Sequence, residues 1–219
     1  WKLCLFLLVM DIAYIMIIWP NWDQYASGPI PKSKFIDSYQ VQYKASVVND
    51  SNKRLPQLRW DPVPFEQIPD SMIRALIVAE DARFFSHRGF DVQAFKEVMK
   101  YNLSRKRFIF GGSTISQQTV KNLFLSPSRN PLRKWHELVI TMGMEQNLTK
   151  QRILELYLNV AEFGRGIYGV SAASAYYWAR PVSKISEKQA IELAATLPSP
   201  VNHNPKTRSV FFLNRVKKI

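Results

Sequence analysis

The sequence has 219 residues, 47% of them hydrophobic, which is enough for one substantial core, or a core with a smaller lobe, but hardly for two independent domains. Lysine and arginine number 30 against 17 acids, and the net charge of +13 asks for a phosphate-bearing partner: nucleic acid, anionic lipid headgroups or a pyrophosphate substrate. The single cysteine, Cys4, excludes an internal disulfide and argues against redox chemistry.

Residues 3–19 form an apolar run close to the roughly 20 residues needed to cross a bilayer, so residues 1–20 read as a transmembrane anchor. Asp11 within it costs about 2.5–3.5 kcal/mol on insertion, offset by the surrounding Leu, Ile and Phe or by a partner helix. No small-x-small cleavage site follows, and Trp19-Pro20 resembles an interfacial stop, so the anchor is expected to be retained. Residues 21–59, and onward to 69, are rich in Pro, Ser, Asn and Asp and read as a stalk of extended and loop structure. The domain proper is expected over 60–219. Helical signals follow over 70–80, 91–103, 113–124, 131–148, 149–159, 169–178 and 186–197, with a basic tail helix from 207. Asp70 or Ser71 offers a cap for the first of these, and Ser186 with Gln189 a capping box for the last but one. Strand signals are scarce. The fold class is mostly α.

Four stretches carry chemistry. Glu80 and Asp81 end an apolar helical run and precede Phe84, Phe85, His87 and Gly89; a carboxylate against such a wall has its charged form disfavoured, which suits general acid/base work. Gly111-Gly112-Ser113-Thr114 leads into a helix: the glycines let backbone approach a ligand, Ser113 or Thr114 can cap, and Gln117 and Lys121 share one face. The Gly-Lys-Ser/Thr order of a Walker loop is absent. Arg129 precedes Arg133 and Glu137, which are four apart; they form either a surface pair or a phosphate grip beside a second carboxylate. From 98 to 136 there is no acid at all, while Lys100, Arg105, Lys106, Arg107, Lys121, Arg129, Arg133 and Lys134 fall within it. In the stretch 150–159, Glu155, Tyr157 and Asn159 read as scaffold. His87, His136 and His203 lack metal-ligand spacing, which argues against a zinc site.

Taken together, Glu-Asp-x-x-Phe-x-x-His-x-Gly at 80–89, Gly-Gly-Ser-Thr-Ile-x-Gln-Gln-x-x-Lys-Asn at 111–122, Arg-Lys-x-x-Glu at 133–137 and Lys-x-x-Ile-Leu-Glu-x-Tyr-Leu-Asn at 150–159 resemble the peptidoglycan glycosyltransferases of family 51. Ala-Ala-Thr-Leu-Pro-Ser-Pro at 194–200 follows in the family's order. The family comprises monofunctional transglycosylases and the N-terminal domains of class A penicillin-binding proteins, and the chain resembles the former. The resemblance implies a lysozyme-like, two-lobed domain with a small membrane-facing lobe, on the outer side of the bacterial cytoplasmic (inner) membrane. It implies polymerisation of lipid II into β-1,4-linked glycan strands, with inversion and release of undecaprenyl pyrophosphate. By the same resemblance Glu80 is the base for the sugar 4-hydroxyl and Glu137 the second carboxylate. Ser113, Lys121, Arg129 and Arg133 hold the donor phosphates, and Gln117, Gln118 and Asn122 shape the cleft. Asp81, Phe84, His87, Thr114 and Lys134 complete the expected substrate set. No cofactor is required; a divalent cation, Mg2+ or Mn2+, is a candidate to assist the pyrophosphate, although no acidic ligand cluster in the sequence demands one. Membrane lipids and cell-wall synthesis proteins are the expected partners, and nucleic acid is not. Phe108, Phe110 and Phe124 are candidates for the membrane interface or for the core. A hydrolase or lytic transglycosylase would use a similar glutamate but has no need of phosphate-seeking cations, and a non-catalytic lipid II-binding module would tolerate loss of Glu80.

Overall fold

The computed structural model describes residues 1–48, 54–105, 112–127 and 131–219. Among these it is mostly helical: α1 Lys2–Ile18, α2 Asp23–Ala26, α3 Lys34–Val48, α4 Asp70–Glu80, α5 Val92–Ser104, α6 Ile115–Phe124, α7 Pro131–Asn147, α8 Lys150–Val160, α9 Val170–Trp178, α10 Glu187–Thr196 and α11 Val210–Val216. Three short strands, β1 Arg59–Trp60, β2 Glu162–Gly164 and β3 Ile167–Tyr168, make a sheet in the order β1-β3-β2, with β1 parallel and β2 antiparallel to β3.

The core forms around α8, where Ile153, Leu154, Leu156, Tyr157, Leu158 and Val160 are all buried. A helix buried on nearly every side must be surrounded, and α6, α9 and the turn 65–67 lie against it. Its start is fixed by Thr149, whose Oγ1 accepts from the Arg152 amide at 3.2 Å. Asn159, fully buried near its end, accepts from Val63 N at 2.8 Å and donates to Val63 O at 2.9 Å, tying the chain ahead of α4 to the core. Helix α4 packs on α10, and α10 on α11, so the two ends of the domain meet.

Four sequence expectations change. Helix α4 begins after Pro69 with no side-chain cap, so neither Asp70 nor Ser71 caps it; Asp70 instead sits in the first turn, where a negative charge suits the helix dipole. The stretch read as stalk contains α2 and α3, because Ile36, Tyr39 and Tyr43 recur at helical spacing and Ile36 and Tyr39 bury against the domain. Phe124 is buried edge-on to Trp22 and Tyr25, which removes it from the interface; Phe108 and Phe110 lie outside the described residues. Finally, α1 has 17 residues, about 26 Å at 1.5 Å per residue, against about 30 Å of hydrocarbon. Among the described residues no helix is long and apolar enough to cross a membrane. None of α1's residues is buried, and it is fastened to α7 through Asp11, which accepts from His136 Nε2 at 2.7 Å and Trp135 Nε1 at 3.1 Å. Trp19 and Trp22 lie against Gly143 of α7, where a Cβ would approach Trp19 to 2.7 Å.

Candidate active site

Glu80 is the last residue of α4, and the chain leaves the helix at Asp81. Its Oε2 accepts from Gln118 Nε2 of α6 at 2.9 Å, and its Oε1 accepts from Arg215 Nη2 of α11 at 2.6 Å. The same Nη2 donates to the Ala79 carbonyl at 2.9 Å, and Tyr157 of α8 donates to Gln118 Oε1 at 3.0 Å. Four helices therefore converge on one carboxylate whose side chain is 11% exposed. Burial pushes the Glu80 carboxyl above the ordinary glutamate value, against the pull of Gln118, Arg215 and the charge of Lys121. Burial likewise pushes the Tyr157 phenol well up, so it serves as a neutral donor.

A second carboxylate, Glu137 of α7, is buried with its side chain 3% exposed. Its Oε2 accepts from Arg133 Nη1 at 3.1 Å, and its Oε1 accepts from Lys134 Nζ, which also donates to Ser113 Oγ at 3.0 Å. Lys121 of α6 feels both carboxylates: burial lowers its pKa, Arg133 and Lys134 lower it further, and Glu137 and Glu80 oppose them. Among the described residues its ammonium makes no hydrogen bond or ion pair. Among the described residues Arg133 Nε is also buried without a partner. Ser113, Lys121, Arg133 and Lys134 thus gather around Glu137 with cationic donors unused, an arrangement suited to anionic oxygens.

The other expected residues form the support behind these groups. Asp81 accepts from His87 Nε2 at 2.9 and 3.0 Å and from the Ile115 amide at 3.0 Å, joining the end of α4 to the start of α6. His87 Nδ1 accepts from Gly89 N, which places the ring proton on Nε2. Gly89 adopts φ +88°, and a Cβ there would meet Thr141 Cγ2 at 2.7 Å. Thr114 donates to the Gly89 carbonyl at 2.7 Å and forms a capping box with Gln117. Phe84 is fully buried, with Lys150 Nζ 4.3 Å from its ring centre. Asp81, Phe84, His87, Thr114 and Gln117 are therefore engaged within the protein, as cap, core and hub. Asn122 is buried on α6. Arg129 and Gly111 lie outside the described residues.

Asp81, His87 and Asp91 bring ligand-type atoms within 4.8 Å of one another, the one such grouping among the described residues. They do not fit a resident cation, because every oxygen concerned is already engaged: Asp91 accepts from Arg83 Nε and Ala94 N, both at 2.8 Å, and Asp81 from His87 and Ile115.

A family model described as Transglycosylase matches residues 49–219. The chain belongs to the transglycosylase family. It is 40% identical over 204 residues to the "Biosynthetic peptidoglycan transglycosylase" of Nitrosospira multiformis, covering 91% of this chain and 84% of the relative. With the protein of the same name from Dechloromonas aromatica it shares 35% over 211 residues, 95% of this chain and 90% of the other. With that of Haemophilus influenzae it shares 44% over 173 residues, 79% of this chain and 68% of the other. Every residue of the two carboxylate clusters falls inside the transglycosylase match.

Two residues in this transglycosylase site escape a reading of the sequence. Tyr157 reads as scaffold because it sits in an apolar helix, yet its hydroxyl orients Gln118. Arg215 lies in a basic tail, 135 positions from Glu80, and no local spacing announces the pair. The pattern Val210, Leu213, Val216 would place a helix there but not say which carboxylate its arginine meets.

Proposed function

We propose that the chain polymerises lipid II, a disaccharide-pentapeptide on undecaprenyl pyrophosphate, into β-1,4-linked glycan strands. Glu80 accepts the proton of the incoming sugar 4-hydroxyl as that oxygen attacks the anomeric carbon of the donor. The bond from that carbon to the pyrophosphate oxygen breaks, and the electron pair leaves with the pyrophosphate. Inversion takes the α-linked donor to a β-linked product with no covalent enzyme intermediate. Lys121, Arg133, Lys134 and Ser113 hold the phosphate oxygens, joined in this proposal by Arg129, and they stabilise the charge that develops as the bond breaks. Glu137 fixes Arg133 and Lys134 in place, while Gln118 orients Glu80 and Asn122 shapes the cleft. The observation that carries the reading is the ammonium of Lys121, unpaired among the described residues and set between two buried carboxylates, one of which is held for proton acceptance.

A lipid-linked substrate also accounts for the apolar exterior. Helix α1 has no buried residue and exposes most of its apolar side chains, and Val92, Phe95, Met99 and Leu103 line one exposed face of α5. A cavity of about 590 Å3 between α1 and the α6–α7 pair has Leu7, Met10 and Leu132 on its wall and Arg133 among its polar groups. These features support a cell-envelope enzyme anchored through residues 1–20 in the cytoplasmic membrane, its two-lobed, lysozyme-like domain on the outer side. The test is to incubate the detergent-solubilised protein and its Glu80→Gln variant with labelled lipid II. Polymer that muramidase digests is expected from the wild type alone; polymer from both removes Glu80 as the base, and polymer from neither removes the activity.

A further inference from the structure

Arg215 comes from α11, outside every motif that suggests the activity, and its guanidinium is the only cation bonded to Glu80 among the described residues. Its Nη2 grips α4 twice, at the Glu80 carboxylate (2.6 Å) and at the Ala79 carbonyl (2.9 Å). Ala79 O is one of the last carbonyls of α4, which have no partner within their own helix, so the contact caps the helix as well as the side chain. Among the described residues Arg215 Nε is buried with no partner.

We propose that Arg215 is a positioning residue for Glu80: clamped to the last turn of α4, it fixes the carboxylate so that its free lone pairs face the acceptor hydroxyl. The proposal rests on the reading of Glu80 as the base. Gln118 holds the other oxygen, so rotation of the carboxylate is blocked from both sides. The clamp also sets the charge balance. Facing Glu80 are Arg215 from α11, Lys121 from α6 and the neutral Tyr157 from α8, while Glu192 of α10, the helix packed on α4, pairs with Arg208. Burial favours the protonated carboxyl, and Arg215 opposes burial through both its charge and its hydrogen bond. Without it Glu80 would remain protonated to higher pH.

The experiment compares full-length wild type, Arg215→Gln, Arg215→Lys and Glu80→Gln in polymerisation of fluorescent lipid II from about pH 5 to 10, with kcat and KM separated and melting followed in parallel. For Arg215→Gln, kcat at neutral pH is expected to fall about 10- to 100-fold with KM within about twofold, and the acid limb to move up by about one unit or more. Arg215→Lys keeps the charge but not the double grip, so its acid limb stays near that of the wild type while kcat still falls. Wild-type kcat and acid limb in Arg215→Gln, or a raised KM with kcat intact, overturns the proposal. If Arg215→Gln does not fold, Arg215→Lys decides: full kcat overturns the clamp. Glu80→Gln separates the two levels. An active Glu80→Gln removes the base and the clamp together, whereas an inactive one beside a normal Arg215→Gln removes the clamp alone.

Discussion

Lys121→Met separates a residue kept for function from one kept for stability. The side chains have similar length, so the packing of α6 is preserved and the charge is lost. In the folded protein that charge is opposed by burial, and its neighbours act in both directions, with Glu80 and Glu137 attracting and Arg133 and Lys134 repelling. The depressed pKa means that the charged lysine disfavours the fold at neutral pH, a cost that vanishes with the charge. Methionine in a partly buried position adds some apolar contact, although the lysine stem already covered much of that surface. The net expectation is unchanged stability or a gain of about 1 kcal/mol, a melting shift of about 2–4 °C upward for a chain of this size. Polymerisation of lipid II should fall about 10²- to 10³-fold, the loss seen when one donor to a developing oxyanion is removed. A melting curve and a lipid II assay on the same preparation suffice. A variant less stable by more than about 1 kcal/mol yet within threefold of wild-type activity would refute the reasoning.

Three further outcomes are expected. The pH profile of kcat should be bell-shaped: Glu80 works ionised and its pKa is raised, so the acid limb lies above the ordinary glutamate value of about 4.3, while Lys121 works charged and its pKa is lowered, so the alkaline limb lies below about 10.4. A steady-state pH series checks both limbs, and an acid limb at the ordinary value contradicts the buried base. Gly89→Ala should cost about 2–3 kcal/mol in urea unfolding, because the added methyl meets Thr141 at 2.7 Å on a backbone at φ +88°; a change under about 0.5 kcal/mol is inconsistent with that contact. Asn159→Ala should lower stability by about 3 kcal/mol by leaving Val63 N and O unmatched, visible as a lower melting temperature, and an unchanged melt would contradict the tie.

How much was legible follows the range of each interaction. Helices α4, α6, α8 and α10 announce themselves through apolar spacing, and caps that act within a turn make the Ser186–Gln189 box readable in the chain and narrow the cap of α6 to Ser113 or Thr114, of which Thr114 takes the role. The Arg133–Glu137 pair is likewise local, four residues on one helix. Helix α3 is only half hidden: its polar composition suggests a stalk, while Ile36, Tyr39 and Tyr43 carry the period that buries it. Asp81 and His87 sit beside the expected base in the sequence, and proximity suggests chemistry. Their hydrogen bond to each other, with that of Asp81 to the Ile115 amide, makes them the joint between α4 and α6, which the sequence does not announce. That Glu80 meets Arg215, or that Lys121 lies between two carboxylates, depends on how four helices pack, and no single stretch of sequence encodes it.

The most direct measurement of the central claim follows the product of lipid II itself. Wild-type protein given lipid II labelled at the anomeric carbon should release one undecaprenyl pyrophosphate for each new bond, and the carbon resonance of that bond should be that of a β-linkage. Release without polymer, a retained α-linkage, or shortening of added glycan strands in place of growth would contradict the account.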